Sequence, residues 1–188
     1  MTKPLHRIGR TVSIATLGAF VIVLGARLSF PLPGTELPQT AQTLGVLLAG
    51  AVLGFARGTL AVMLYLAAAA LGLPVLSGGA SGLEALTGPS AGYLLGFLCV
   101  AAALGQLADC GRFGRSVWRD AGAMLIAHGV ILLLGGGWLA LRIGVGAAWS
   151  GGVAPFLLGA LVKSVIAAVL VRAVGGRLSP SRSQHPAL

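Results

Sequence analysis

The sequence predicts an all-α membrane protein with six transmembrane helices in one domain over residues 1–178 and both termini in the cytoplasm. Three observations lead there. The composition is 56% hydrophobic and 9% charged, against roughly 25% charged in soluble domains, and the mean hydropathy is +0.95. The apolar residues fall in long runs at 12–30, 44–55, 58–73, 91–108, 121–141 and 153–171. The basic residues cluster in alternate connections between those runs, the pattern that orients membrane helices.

The first run follows Lys3, Arg7 and Arg10. Basic residues before an apolar stretch resemble a secretory signal, but this stretch exceeds the ~7–15 residues of a cleavable apolar region. It is followed by Pro31-Leu-Pro33 rather than by a small-x-small cleavage site. The second and third runs flank Arg57, and each is shorter than the usual ~17–25 residue span. They are read as two short helices turning at Arg57, which Gly54 and Gly58 bracket, because an arginine is costly at mid-membrane and harmless at a surface turn. The fourth and fifth runs are separated by Arg112, Arg115 and Arg119, and the sixth is followed by Arg172, Arg177 and Arg182. The opposite side carries Arg27 and Arg142, so the basic loops are expected in the cytoplasm. The tail 179–188 (SPSRSQHPAL) has too little apolar content to pack and is expected to be disordered. Cys99 and Cys110 lie toward the cytoplasmic end of the fourth helix and are expected to be reduced and unpaired.

The net charge of +9 sits in short loops flanking the membrane without aromatic interleaving, which excludes nucleic acid as a partner and points to the lipid surface. No G-x-x-x-x-G-K-[ST] phosphate loop occurs, so this chain does not itself hydrolyse ATP. No catalytic residue, metal site or cofactor is expected. The segment 72–96 (GLPVLSGGASGLEALTGPSAGYLLG) carries one charge, Glu84. It is too apolar for a solvated linker and reads as a binding loop on the outward side, because non-helical backbone near lipid survives where it lines a cavity. Lys163 stands midway along the sixth run, where an uncompensated ammonium costs about 2.5–3.5 kcal/mol. It therefore snorkels to an interface or meets an anionic ligand. The acids are few: Glu36 and Glu84 in outward loops, Asp109 and Asp120 on the cytoplasmic side.

Several segments together resemble the BioY family, the biotin-binding S components of energy-coupling-factor (ECF) vitamin transporters. Phe30-Pro-Leu-Pro33 and the stretch from Gln39 through Gln42-Thr43-Leu44 to Gly50 are similar to the family's P-x-P and L-Q-T-L-x-V-L-L-A-G patterns, with Ala41 in place of Leu. Leu73-Pro74-Val75, Gly78-Gly79 and Gly88-Pro-Ser-Ala-Gly-Tyr-Leu-Leu-Gly96 resemble its glycine-rich motifs, with Ser90 and Ala91 replacing Thr and Gly. Pro155-Phe-Leu-Leu-Gly159-Ala160, followed by Lys163, resembles P-F-x-x-G-D-x-x-K, with Ala160 where Asp is usual. The resemblance implies an S-component bundle in the cytoplasmic membrane that captures biotin and works with a transmembrane coupling (T) protein and two cytoplasmic ATPases. It implies a pocket in which Lys163 meets the valerate carboxylate, Gln42 and Tyr93 meet the ligand, and Gly78, Gly79, Glu84 and Gly92 contribute from the loop. The small-residue strip Ala15-x-x-x-Ala19 would dock the coupling protein. Another vitamin or small anion on the same scaffold is the nearest alternative. A more distant one is an intramembrane serine protease, since Gly79-Ala-Ser-Gly82 matches G-x-S-G and His128 lies in an apolar helix.

Overall fold

The computed structural model describes residues 3–30 and 39–178. Pro31-Leu-Pro33, Glu36 and the tail 179–188 lie outside the described residues. The chain runs through α1 (Lys3–Arg27), a two-stranded antiparallel ribbon of β1 (Ser29–Phe30) and β2 (Gln39–Thr40), α2 (Gln42–Ala70), a short α3 (Gly82–Thr87), α4 (Ala91–Asp109), α5 (Val117–Ile143), a short α6 (Val145–Ala148) and α7 (Leu157–Leu178). Among the described residues, five helical stretches are long and apolar enough to cross a membrane. Their exposed faces are studded with Leu, Ile, Val and Phe, as in α1 with Leu17, Phe20 and Leu24, the arrangement expected where lipid is the solvent.

One of these stretches, α2, is itself two helices. Gly54 adopts φ +80° and ψ 178° inside it, a left-handed conformation that glycine alone enters cheaply. Beyond that point the chain folds back on itself. Gln42 Nε2 donates to the Tyr65 hydroxyl at 2.7 Å across 23 positions of sequence, a separation of about 34 Å in a straight helix. A Cβ on Gly58 would sit 2.5 Å from the Ala49 carbonyl oxygen, so the two halves touch beside the reversal. The sequence reading of two short helices holds, but the turn falls at Gly54, three positions before Arg57. The physical reason is the cap: the Asp109 carboxylate at the end of α4 accepts the Phe55 amide at 3.1 Å, satisfying a donor that the new helix start leaves without an intrahelical partner. Residues 42–53 and 55–70 with α1, α4, α5 and α7 make six long helices.

The core is a continuous apolar cluster in which Ile22 of α1, Val46, Leu47 and Tyr65 of α2, Phe97 and Leu104 of α4, Met124 and Ile131 of α5 and Val171 of α7 are buried. Asp120, also buried, accepts the Gly114 amide at 2.9 Å and so fixes the α4–α5 connection. Both acids of that end, Asp109 and Asp120, thus accept backbone amides. At the opposite end, the glycine-rich segment folds into a short 3-10 turn at Ser77–Gly79 and α3. Two contacts tie it down: Arg27 Nη2 donates to the Pro74 carbonyl, and Trp138 Nε1 donates to the Gly88 carbonyl at 2.9 Å. Between α5 and α7 the chain is less regular than the sixth apolar run suggests, passing through α6, a π turn and a 3-10 turn that holds Pro155. Cys99 and Cys110 are both free.

Candidate functional site

Beneath the glycine-rich segment lies a cavity of about 260 Å³. Its apolar walls come from helices, with Leu94 and Phe97 on α4, Ile131 on α5 and Phe156 before α7; its roof is Leu76, Ser77 and Ala80 from the loop. Polar groups converge on it from β2, α2, α5 and α7: Gln39, Thr40, Gln42, Thr43, His128 and Lys163. A concave apolar pocket with a few placed donors and acceptors is the usual form of a small-molecule site.

Lys163 is half-buried on α7 and donates to the Thr40 carbonyl of β2 at 3.0 Å. Its partner is a neutral carbonyl rather than a carboxylate. Glu84 is exposed on α3 and does not line the cavity, so it does not contribute to the pocket as the resemblance implies, and Glu36 lies outside the described residues. Ala160, one turn before Lys163, is 4% exposed and lines the cavity. Gly159 holds a second close approach: a Cβ there would stand 1.5 Å from Gln39 Nε2. The missing side chain is what lets the Gln39 amide lie against α7.

His128 is 3% exposed. Its Nδ1 lies 2.9 Å from Ser164 Oγ and 3.3 Å from the Met124 carbonyl oxygen, and its Nε2 lies 3.2 Å from Thr43 Oγ1. The Ser164 hydroxyl donates in turn to the Ala160 carbonyl at 2.7 Å. The imidazole thus stitches α2, α5 and α7 together at the cavity wall. Because α5 extends over Val117–Ile143, His128 stands near mid-helix, deeper than the apolar run at 121–141 implies. Neither ring nitrogen is bonded to Ser81, which precedes α3 outside the cavity lining, so no Ser–His pair of the protease type forms.

The remaining expected site residues separate into two groups. Gln42, 4% exposed, and Tyr93 line the cavity, but the Tyr93 hydroxyl proton and one of the two Gln42 amide N–H groups are already used. The Gln42 amide serves Tyr65, and the Tyr93 hydroxyl donates to the Gly152 carbonyl at 2.6 Å, which pins the irregular α6–α7 connection to α4. Gly78, Gly79 and Gly92 do not line the cavity. Gly78 and Gly79 shape the 3-10 turn that presents Ser77, and Gly92 lies against the backbone of Leu134 and Gly135 where α4 packs on α5. Ala15 and Ala19 are 0% and 8% exposed. Between them Gly18 faces Leu53 and Ala61 of α2, so this strip is filled by the chain's own helices and presents no open face for a coupling protein. Among the described residues no group of His, Cys, Asp and Glu is placed to hold a metal ion.

Sequence reasoning passed over Gln39, Ser77, Thr43 and Phe97 as cavity residues. Thr43 was legible as the neighbour of Gln42 in the L-Q-T-L pattern; Gln39 depends on a two-residue strand pairing that leaves no periodic signal.

A model of the BioY family matches residues 1–179. The chain belongs to the BioY family. Among its BioY relatives, the biotin transporter of Rhizobium etli is 38% identical over 182 residues, covering 92% of this chain and 97% of that protein. The biotin transporter of Rhodobacter capsulatus is 37% identical over 174 residues, covering 86% and 90% respectively. The fold is similar to the crystal structure of the S-component for biotin from an ECF-type ABC transporter, with a TM-score of 0.80 at 25% identity over 94% of this chain and 95% of that one. BioY is a transport family and not an enzyme family, and the multi-pass architecture agrees with it.

Proposed function

We propose that this chain captures biotin at the outer face of the cytoplasmic membrane, as the substrate-binding S component of an ECF transporter. The observation that carries the reading is the cavity: an apolar chamber of about 260 Å³ holding one ammonium, Lys163, whose partner is a backbone carbonyl. The names and function of the BioY relatives, and the biotin S-component with which the fold aligns, support it. Biotin carries one formal charge, its valerate carboxylate. A carboxylate at Lys163 forms a charge-assisted bond that a carbonyl cannot equal and relieves the cost of an ammonium in an apolar wall. The fused rings then occupy the space between Leu94, Phe97, Ile131 and the loop roof.

Capture has a mechanical side in this chain. The roof is held by Arg27 on Pro74 and Trp138 on Gly88, and one wall by Lys163 on Thr40. When the ligand oxygen replaces the Thr40 carbonyl at the ammonium, that bond between α7 and β2 is exchanged for one to the ligand, while the Gln39 amide stays against Gly159. Because this sequence has no phosphate loop, release inward draws its energy from a transmembrane coupling protein with two ATPases or from the biotin gradient itself. The test is uptake of labelled biotin by biotin-requiring cells expressing this chain with and without a coupling module. Saturable uptake that depends on the chain supports the reading. Uptake equal to that of cells lacking the chain contradicts it.

A further inference from the structure

Two buried oxygens at the cavity, Gln39 Oε1 and Ser77 Oγ, have no hydrogen-bond partner among the described residues. Buried polar groups are nearly always paired, and an orphan of this kind is destabilising. Both residues line the same cavity, one from β2 and one from the loop roof. Their chemistry differs. An amide oxygen accepts only, so what satisfies Gln39 Oε1 is a donor, such as a ligand N–H; a hydroxyl both donates and accepts.

The placement of Gln39 is built by its neighbours. Its backbone pairs with Phe30 across the ribbon, its side-chain amide rests in the gap left by Gly159, and the next residue, Thr40, is the one held by Lys163. Gly159 and Lys163 are four positions apart on α7, about 6 Å along the axis. The acceptor is therefore set roughly one helical turn from the ammonium, toward the loop.

Resting on the biotin reading above, we propose that Gln39 and Ser77 read the ureido ring: Gln39 Oε1 accepts a ureido N–H, and the Ser77 hydroxyl pairs with a second polar atom of the same ring. These two residues set which ligands the site admits, while Lys163 supplies charge. A site built around an acceptor rejects an analogue lacking the matching donor far better than an apolar pocket rejects an added methyl group.

The experiment is titration of the purified full chain in detergent with biotin and with its two derivatives singly methylated on a ureido nitrogen. The wild-type chain is expected to bind biotin at least ~10-fold more tightly than one of the two derivatives. In Gln39→Met, biotin binding weakens by ~10-fold and that preference falls to within about twofold. Ser77→Ala weakens biotin binding by a few-fold without removing the preference set by Gln39. A Gln39→Met chain that keeps the wild-type preference overturns the proposal, as does a wild-type chain that binds both methylated derivatives as well as biotin. Should Gln39→Met fail to fold, Gly159→Ala displaces the same amide from α7 and is expected to lower the preference in the same way; a preserved preference there overturns it equally. Failure of the wild-type chain to bind biotin at all is a separate result, directed at the function and not at these two residues.

Discussion

A lysine side chain in a membrane helix is stable only where something takes up its charge or its hydrogen bonds, and Lys163 is placed on a carbonyl that a carboxylate outcompetes. Biotin amide, which keeps the rings and loses the charge, is therefore expected to bind at least ~10-fold more weakly than biotin; a competition assay against labelled biotin checks it. Tyr65 makes a different kind of prediction. It is buried and accepts from Gln42 at 2.7 Å, so Tyr65→Phe leaves a buried amide donor without a partner, at a cost of about 1–3 kcal/mol. Thermal unfolding in detergent is expected at a lower temperature than in the wild-type chain, and an unchanged midpoint would remove the Gln42–Tyr65 bond from the forces closing the α2 hairpin. Much of this scale was legible in the sequence: an ammonium in a run of apolar residues is visible without coordinates, and Lys163, Gln42 and Tyr93 all line the cavity. What was not legible is who holds whom. One amide N–H of Gln42 and the hydroxyl of Tyr93 are spent on Tyr65 and Gly152, partners 23 and 59 positions away that only the fold brings together.

Among the elements, the reversal of α2 depends on one backbone conformation and one cap. Gly54→Ala forces a Cβ into φ +80° and ψ 178° and against Asp109 Oδ1, where this glycine-only backbone conformation alone costs about 1–3 kcal/mol. Asp109→Ala removes the acceptor of the Phe55 amide and is expected to cost about 0.5–2 kcal/mol. Both variants should unfold earlier on heating, and the double variant should lose less than the two losses added, because each disturbs the same turn. Strict additivity would mean the turn does not depend on their contact. The sequence showed the hairpin through the shortness of its two runs but put the turn at Arg57, since charge marks a surface while φ does not appear in composition. The α6 segment and the turns that follow were hidden for a related reason: residues 145–156 carry no charge and run into the apolar stretch that begins at 153, and hydropathy cannot separate a broken helix from a continuous one. The strip Ala15-x-x-x-Ala19 shows the converse, in that small residues mark close packing without saying whose helix packs there. Here it is the chain's own α2.

For the molecule as a whole, six helices with basic alternate loops predict that both ends of the chain lie on the cytoplasmic side of the membrane. A fluorescent protein fused after Leu188 should fold and fluoresce, whereas alkaline phosphatase inserted in the segment 72–80 should be active, as it is only outside the cytoplasm. The reverse pattern would invert the orientation and place the cavity mouth on the wrong face for uptake. The central claim concerns the cavity itself. The most direct measurement is calorimetric titration of biotin into the purified chain in detergent, without coupling protein or nucleotide, beside Lys163→Ala. Tight binding at one site per chain, weakened at least ~10-fold in the variant, is the expected result. Folded wild-type chain that takes up no biotin, or a variant that binds it as tightly as the wild type, would contradict it.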